Sequence, residues 1–252
     1  MKYYSRFKQN EEYIWAEYID SKYYPLSGSI HEQSPGKTNQ ALDLETVALV
    51  TPYFGQKVIA LAYNYKSLVG DQVEFDEPLV FFKSPDSIVP DGGQIKYPSF
   101  ADNVWIEAEL TVVIGKETRD ISAEQANEHI LGYTCGNDVT AENILNRDWH
   151  LARAKGLDTF CPLGPFLVKD INTNDLKIES FINGQKTQGS RTSDRVLNDF
   201  ESVALVSKYF TLHPGDVILT GTPAGATDAV VKPGDRVDIK IESIGTLTSL
   251  VW

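Results

Sequence analysis

The chain has 252 residues, 42% hydrophobic and 11% aromatic, enough for one sizeable domain or one domain with a small appendage. Its 35 acids against 23 bases leave a net charge of −12, which excludes the basic footprint of a nucleic-acid binder and obliges any anion site to supply its own positive charge. No run approaches the length of a membrane helix, the start lacks the apolar core of a signal peptide, and Cys135 and Cys161 make no disulfide framework. A soluble cytoplasmic protein with no membrane and no nucleic-acid partner is expected.

In chain order, residues 1–52 differ from the rest. Short aromatic runs (Tyr13-Ile14-Trp15 and Tyr23-Tyr24-Pro25-Leu26) precede a polar stretch, 31–40, containing Pro35-Gly36. This predicts a small strand-rich N-terminal segment with a short helix at 43–50. Residues 53–252 form the expected main domain, with strands at 58–62, 79–83, 104–114, 131–137, 164–168, 177–182, 216–220 and 236–241. Asn183-Gly184 after an alternating run predicts a hairpin turn. Two Pro-Gly-Asp turns, at 214–216 and 233–235, each lead into a strand. One helix is expected to start at Ser122, with Gln125 completing a capping box, and another to span 199–210. Many strands with few helices predict an α+β fold.

The segment 104–114 carries the strongest chemical signal. Alternation puts Val104, Ile106, Ala108, Leu110, Val112 and Ile114 on one apolar face. Glu107 and Glu109 stand on the other, between Trp105 and Thr111. Asp138, in Gly136-Asn137-Asp138-Val139-Thr140, ends an apolar run, where site residues often sit, and is a natural third oxygen ligand. At about 4 Å and an effective dielectric near 20, each carboxylate pair repels by roughly 4 kcal/mol. Three converging carboxylates therefore protonate or bind a cation. All-oxygen ligation selects Mg²⁺, Mn²⁺ or Ca²⁺ over Zn²⁺. The spacing alone is equally that of a solvated acidic strand face beside an Asn-Asp turn.

Two lysines and a loop add to this. Lys155, in Ala154-Lys155-Gly156-Leu157-Asp158, would shuttle protons beside a cation or be a solvated side chain. Lys83 ends the run Phe81-Phe82-Lys83, where it would meet a substrate carboxylate or snorkel to solvent. Thr220-Gly221-Thr222-Pro223-Ala224-Gly225 lacks the pattern of a phosphate or dinucleotide loop. Its amides and the Thr222 hydroxyl would cradle a carboxylate or simply form a tight turn. The histidines form no triad with Ser and Asp and no metal cluster, and His150 alone lies near a candidate site residue.

Taken in order, Asn64-Tyr65, Phe82-Lys83-Ser84-Pro85, Glu107-x-Glu109, Asn137-Asp138-Val139-Thr140-Ala141, Lys155-Gly156-x-Asp158, Asn183-Gly184, Pro214-Gly215-Asp216 and Thr220-Gly221-Thr222-Pro223 resemble the fumarylacetoacetate hydrolase family, from about residue 58 to the C-terminus. The resemblance implies a β-rich α+β sandwich or roll and a homodimer. It also implies a Mg²⁺ or Mn²⁺ held by Glu107, Glu109 and Asp138. Lys155 would be the active-site lysine, with Lys83, Thr222 and Tyr65 holding a small anionic 2-oxo acid. Members cleave, decarboxylate or isomerise 2-oxo and 2,4-dioxo acids through metal-bound enol or enolate states.

Departures from the family pattern bear on the reaction. Where its hydrolases carry a His–Glu pair in a mobile lid, this chain has Leu68 and Asp71, leaving Asp71 as the remaining candidate base there. Beyond Asp138, Glu142 and Leu145 replace residues that fix the substrate. The expectation is therefore an isomerase or decarboxylase more readily than a hydrolase. The alternative is a silent relative that keeps fold and cation as a binding or structural element.

Overall fold

The alternating run at 104–114 does form extended backbone, interrupted once. Val104–Trp105 is one short strand and Ala108–Ile114 the next. The break falls at Ile106 and Glu107, whose amides leave the ladder to bond Ala229 O (3.2 Å) and Asn137 Oδ1 (3.1 Å). The computed structural model describes residues 1–70, 77–142 and 148–252, so Asp71 and Leu145 lie outside the described residues.

Ala108–Ile114 sits within an eleven-stranded sheet. The path of that sheet runs Lys22–Pro25, Glu12–Ile19, Lys2–Gln9, Cys161–Lys169, Ile130–Asn137, Ala108–Ile114, Val217–Leu219, Val58–Ala62 and Leu79–Lys83. The N-terminal strands are woven into it, because Lys2–Gln9 pairs antiparallel with Cys161–Lys169. A five-stranded sheet is ordered Gln185–Arg191, Lys177–Ile182, Arg236–Ile241, Gly245–Val251 and Gln94–Ile95. Val104–Trp105 joins a third sheet, between Thr140–Ala141 and Val230–Val231. The architecture is a strand-rich α+β fold.

The six residues expected on the apolar face all enter one core cluster. There they meet Ile178, Val237, Ile239 and Leu247 of the five-stranded sheet, and Val203 and Val206 of the helix Asp199–Tyr209. That helix starts at Asn198, whose Oδ1 accepts the amides of Phe200 and Glu201 while Glu201 returns a bond to the Asn198 N–H. The opposite face of the large sheet carries Val113, Val217, Leu219, Val58, Ala60 and Phe81 in a second cluster. Glu109, Thr111 and Lys83 share that second face by register with these residues. Here Gly136 lies opposite Glu109, and a side chain on it would meet Thr111 Oγ1 at 2.2 Å.

The expected helix at 43–50 is not formed. Asp43 accepts the Thr46 amide at its carbonyl and the Glu45 amide at its side chain, closing a turn, and Ala48–Val50 then pairs with Lys2–Gln9. Short polar side chains that bond nearby backbone compete with helix, and the strand partner decides the outcome. The hairpin at Asn183-Gly184 forms as expected, between Lys177–Ile182 and Gln185–Arg191. Ser122 leads a single turn of helix, Ala123–Ala126, with its amide on Gln125 Oε1 at 3.0 Å.

Candidate metal centre

Strand register brings the three carboxylates together. Ala108 lies opposite Asn137 and Glu109 opposite Gly136, so Asp138 emerges beside Glu107, and the Asp138 amide bonds Glu107 O at 3.0 Å. Ligand oxygens of Glu107, Glu109 and Asp138 fall within 4.8 Å of one another, and all three residues are buried. A solvated acidic face is thereby ruled out. Two ammonium groups enter the same space. Lys155 ends the helix Ala152–Lys155, whose Arg153 and Ala154 amides donate to Asp148 Oδ2 at 2.7 Å each. Lys155 Nζ donates to Glu107 Oε1 (2.8 Å) and Asp138 Oδ2 (2.6 Å). Lys83 Nζ donates to Asp138 Oδ1 and to Val139 O, so its charge rests on a carboxylate of the cluster rather than in open space.

The remaining donors divide unevenly. Glu107 Oε1 also accepts Trp105 Nε1 (2.9 Å) and the Thr140 hydroxyl (2.6 Å). Glu109 Oε2 accepts the Gly221 amide at 2.6 Å. No donor among the described residues reaches Glu107 Oε2 or Glu109 Oε1. Three carboxylates against two ammonium groups leave one negative charge in excess. Its consequence is visible at Glu109, whose carboxyl is pushed well above the ordinary range by burial first and by the Asp138 and Glu107 charges next. Asp138 moves the other way. Burial opposes its ionisation, but the Lys155 and Lys83 charges outweigh burial and hold it below the ordinary range. Burial likewise works against the Lys155 charge, and Asp138 with Glu107 overcomes it, raising the lysine. A buried, all-oxygen set with an uncompensated charge and two free carboxylate oxygens fits a hard divalent cation.

The loop after Val217–Leu219 closes the site. Gly221 has φ +94°, and a side chain there would strike Asn64 Cβ at 2.8 Å, so only glycine lets the loop approach this closely. The Thr222 hydroxyl accepts Gln188 Nε2 at 2.9 Å. Asn64 bonds Thr220 O, Leu197 O and the Leu197 amide, tying this loop to the segment that begins the short helix Lys66–Val69. Among the described residues, Tyr65 forms no hydrogen bond with the other expected site residues. Its ring is in the main core, and its hydroxyl is buried without a hydrogen-bond partner. Leu68 is on an exposed turn. Glu142 accepts the Asn103 side-chain amide at 2.8 Å and, among the described residues, forms no hydrogen bond or ion pair with a member of the carboxylate triad. His150 is exposed.

Gln188 and Thr140 are partners of the site beyond those expected from sequence, whereas the loop amides were expected to hold a carboxylate and that of Gly221 holds Glu109. Thr140, two residues after Asp138, was open to notice by alternation. Gln188 was not, because its partners are on other strands.

The fumarylacetoacetate (FAA) hydrolase C-terminal family matches residues 57–252. The chain belongs to the fumarylacetoacetate hydrolase family. Among solved structures it is similar to 2-hydroxyhepta-2,4-diene-1,7-dioate isomerase from Mycobacterium marinum, with TM-score 0.89 and 36% identity, covering 100% of this chain and 98% of that one. It is also similar to fumarylpyruvate hydrolase from Pseudomonas aeruginosa in complex with Mn²⁺ and pyruvate, with TM-score 0.72 and 28% identity over 85% and 92% of the two chains. Oxaloacetate tautomerase YisK of Bacillus subtilis is 36% identical over 213 residues, 79% of this chain and 71% of that protein. Family members are isomerases, hydrolases and tautomerases of small oxo acids, and the acidic triad here fits the divalent metal of such enzymes.

Proposed function

We propose that the protein interconverts the keto and enol forms of a small 2-oxo acid, oxaloacetate being the first to test, with Mg²⁺ or Mn²⁺ at Glu107, Glu109 and Asp138. The observation that carries this reading is Lys155 Nζ, bonded to two of the three cation ligands in a buried site. On this reading the ammonium lies beside the substrate's reacting atoms, and a cation sharing its carboxylate partners would weaken its hold on the proton it transfers. A cation bound there would supply Lewis-acid stabilisation of the negative charge that develops on the substrate oxygen. Lys155 moves the proton at Nζ. Lys83 holds Asp138, and the Thr222 loop orients a substrate carboxylate. Hydrolysis also needs an activated water, and Leu68 offers no imidazole for it. The tautomerase and isomerase relatives favour the same choice.

Decay of the enol absorbance of oxaloacetate tests the reading. The protein with Mn²⁺ should accelerate the decay, while chelation and Lys155→Met should each abolish the acceleration. A Mn²⁺-loaded protein that accelerates neither this nor enolisation of other 2-oxo acids would sink the proposal.

A second reading has one observation in its favour. Both oxygens of Asp138 already carry an ammonium group, so the cluster is largely neutralised by the chain itself. On that reading the site is structural, an oxo acid binds neither with nor without cation, and chelation changes stability alone.

A further inference from the structure

We propose that Gln188 is a positioning residue that fixes the Thr222 hydroxyl as a donor into the cation site, aimed at the carboxylate of the bound oxo acid. The inference rests on the oxo-acid reading above. Gln188 lies on Gln185–Arg191 of the five-stranded sheet and is 2% exposed. Its Oε1 accepts the Ala108 amide (3.0 Å) and the Ser180 hydroxyl (3.0 Å). Its Nε2 donates to Thr222 Oγ1 (2.9 Å) and Pro223 O (3.0 Å). All four hydrogen-bonding positions of the side chain are used.

These partners leave the amide one orientation. A backbone N–H only donates and a carbonyl only accepts. Turning the amide over would set donor against donor at Ala108 and acceptor against acceptor at Pro223. Thr222 Oγ1 must therefore accept from Gln188, and its own proton must go elsewhere. Among the described residues no acceptor takes that proton. The preceding residue, Gly221, has its amide on Glu109 Oε2 at 2.6 Å, so the loop abuts the carboxylate triad.

The arrangement selects the ligand's chemistry. An anion entering beside Glu107, Glu109 and Asp138 meets repulsion, and a hydroxyl fixed as a donor favours an acceptor-only group. A carboxylate is such a group, whereas an amine or amide nitrogen is not. Gln188 also holds the Ala108 amide, in the backbone between the two glutamates, so one side chain sets the spacing between loop and cation ligands.

A double-mutant cycle on oxalate affinity, measured by calorimetry with saturating Mn²⁺, tests this. In Gln188→Glu the new carboxylate keeps the bond from Ala108 but draws the Thr222 proton to itself. Oxalate affinity should fall about 10- to 100-fold, the range for a hydrogen bond to a charged group. In a Thr222→Val background the same substitution should change affinity by no more than about threefold, because its route is gone. Gln188→Met introduces no charge and should show the same non-additivity with a smaller loss. It also serves if the glutamate variant fails to fold. Losses that add fully in both backgrounds, with a parent protein that binds oxalate, overturn the inference and leave the oxo-acid reading standing. A parent that binds Mn²⁺ but not oxalate overturns both.

Discussion

Two buried charge clusters in this protein look alike and differ in what they are for. Arg195 and Asp199 form one. The guanidinium bonds Asp199, Thr220 Oγ1 (3.0 Å) and Thr192 O (3.0 Å), and Asp199 takes the Thr173 hydroxyl as well. One positive charge meets one negative charge, and both are enclosed by donors and acceptors from the fold. The cluster at Glu107, Glu109 and Asp138 has one carboxylate more than it has ammonium groups, and two carboxylate oxygens no described donor reaches. Buried charge that is balanced holds a structure; buried charge left over requires something from outside.

The comparison breaks most sharply at Asp138. Asp138→Ala should abolish Mn²⁺ binding in calorimetry and, by leaving Lys83 and Lys155 buried without their shared partner, destabilise the protein by about 3–5 kcal/mol in denaturant titration. Full Mn²⁺ affinity in that variant would remove Asp138 from the ligand set. Asp199→Asn should lose a similar ~3–5 kcal/mol by orphaning Arg195. Its folded fraction should bind Mn²⁺ as the parent does, because no cation ligand has changed.

Glu109→Gln sharpens the contrast through pH. The folded carboxyl titrates above its unfolded value, so the folded protein holds this proton more tightly. Without cation, stability therefore falls as pH rises from the ordinary carboxylate range through the raised value, with a limiting slope of about 1.4 kcal/mol per pH unit. The glutamine variant should lack this slope and be more stable than the parent at neutral pH when cation is absent, while binding Mn²⁺ more weakly. In the parent, Mn²⁺ must displace that proton, and its affinity should climb over the same window. Parallel stability–pH curves for parent and variant would contradict the account. The smallest effect is expected for Leu68→His, an exposed position, where stability should move by less than about 0.5 kcal/mol and Mn²⁺ affinity not at all.

Much of this was legible because alternation is local. Six apolar residues between Val104 and Ile114 announced a core face, and every one of them is in it. The same alternation put Glu107, Glu109 and Trp105 on the other side, and the Trp105 indole does donate to Glu107. What alternation leaves open is whether that second face is covered. Burial of the triad depends on the opposing strand and the Thr222 loop, more than a hundred residues away from Glu109 in sequence. The break at Ile106 and Glu107 was invisible for the same reason, since Ala229 and Asn137 draw the backbone out of the ladder. For Lys83 the sequence left open a strand-end lysine meeting a substrate carboxylate or one reaching to solvent, and strand register turns it inward onto Asp138. Gln188 sits in a polar run, Gln185-Lys186-Thr187-Gln188-Gly189, whose pattern carries no hint of four buried bonds.

The most direct test of the central claim is calorimetric titration of the parent protein with oxalate, with Mn²⁺ and again after chelation. The account predicts binding with the cation and none without it. Cation binding with no oxalate affinity, or oxalate affinity that survives chelation, would show that the left-over charge of the triad does not build an oxo-acid site.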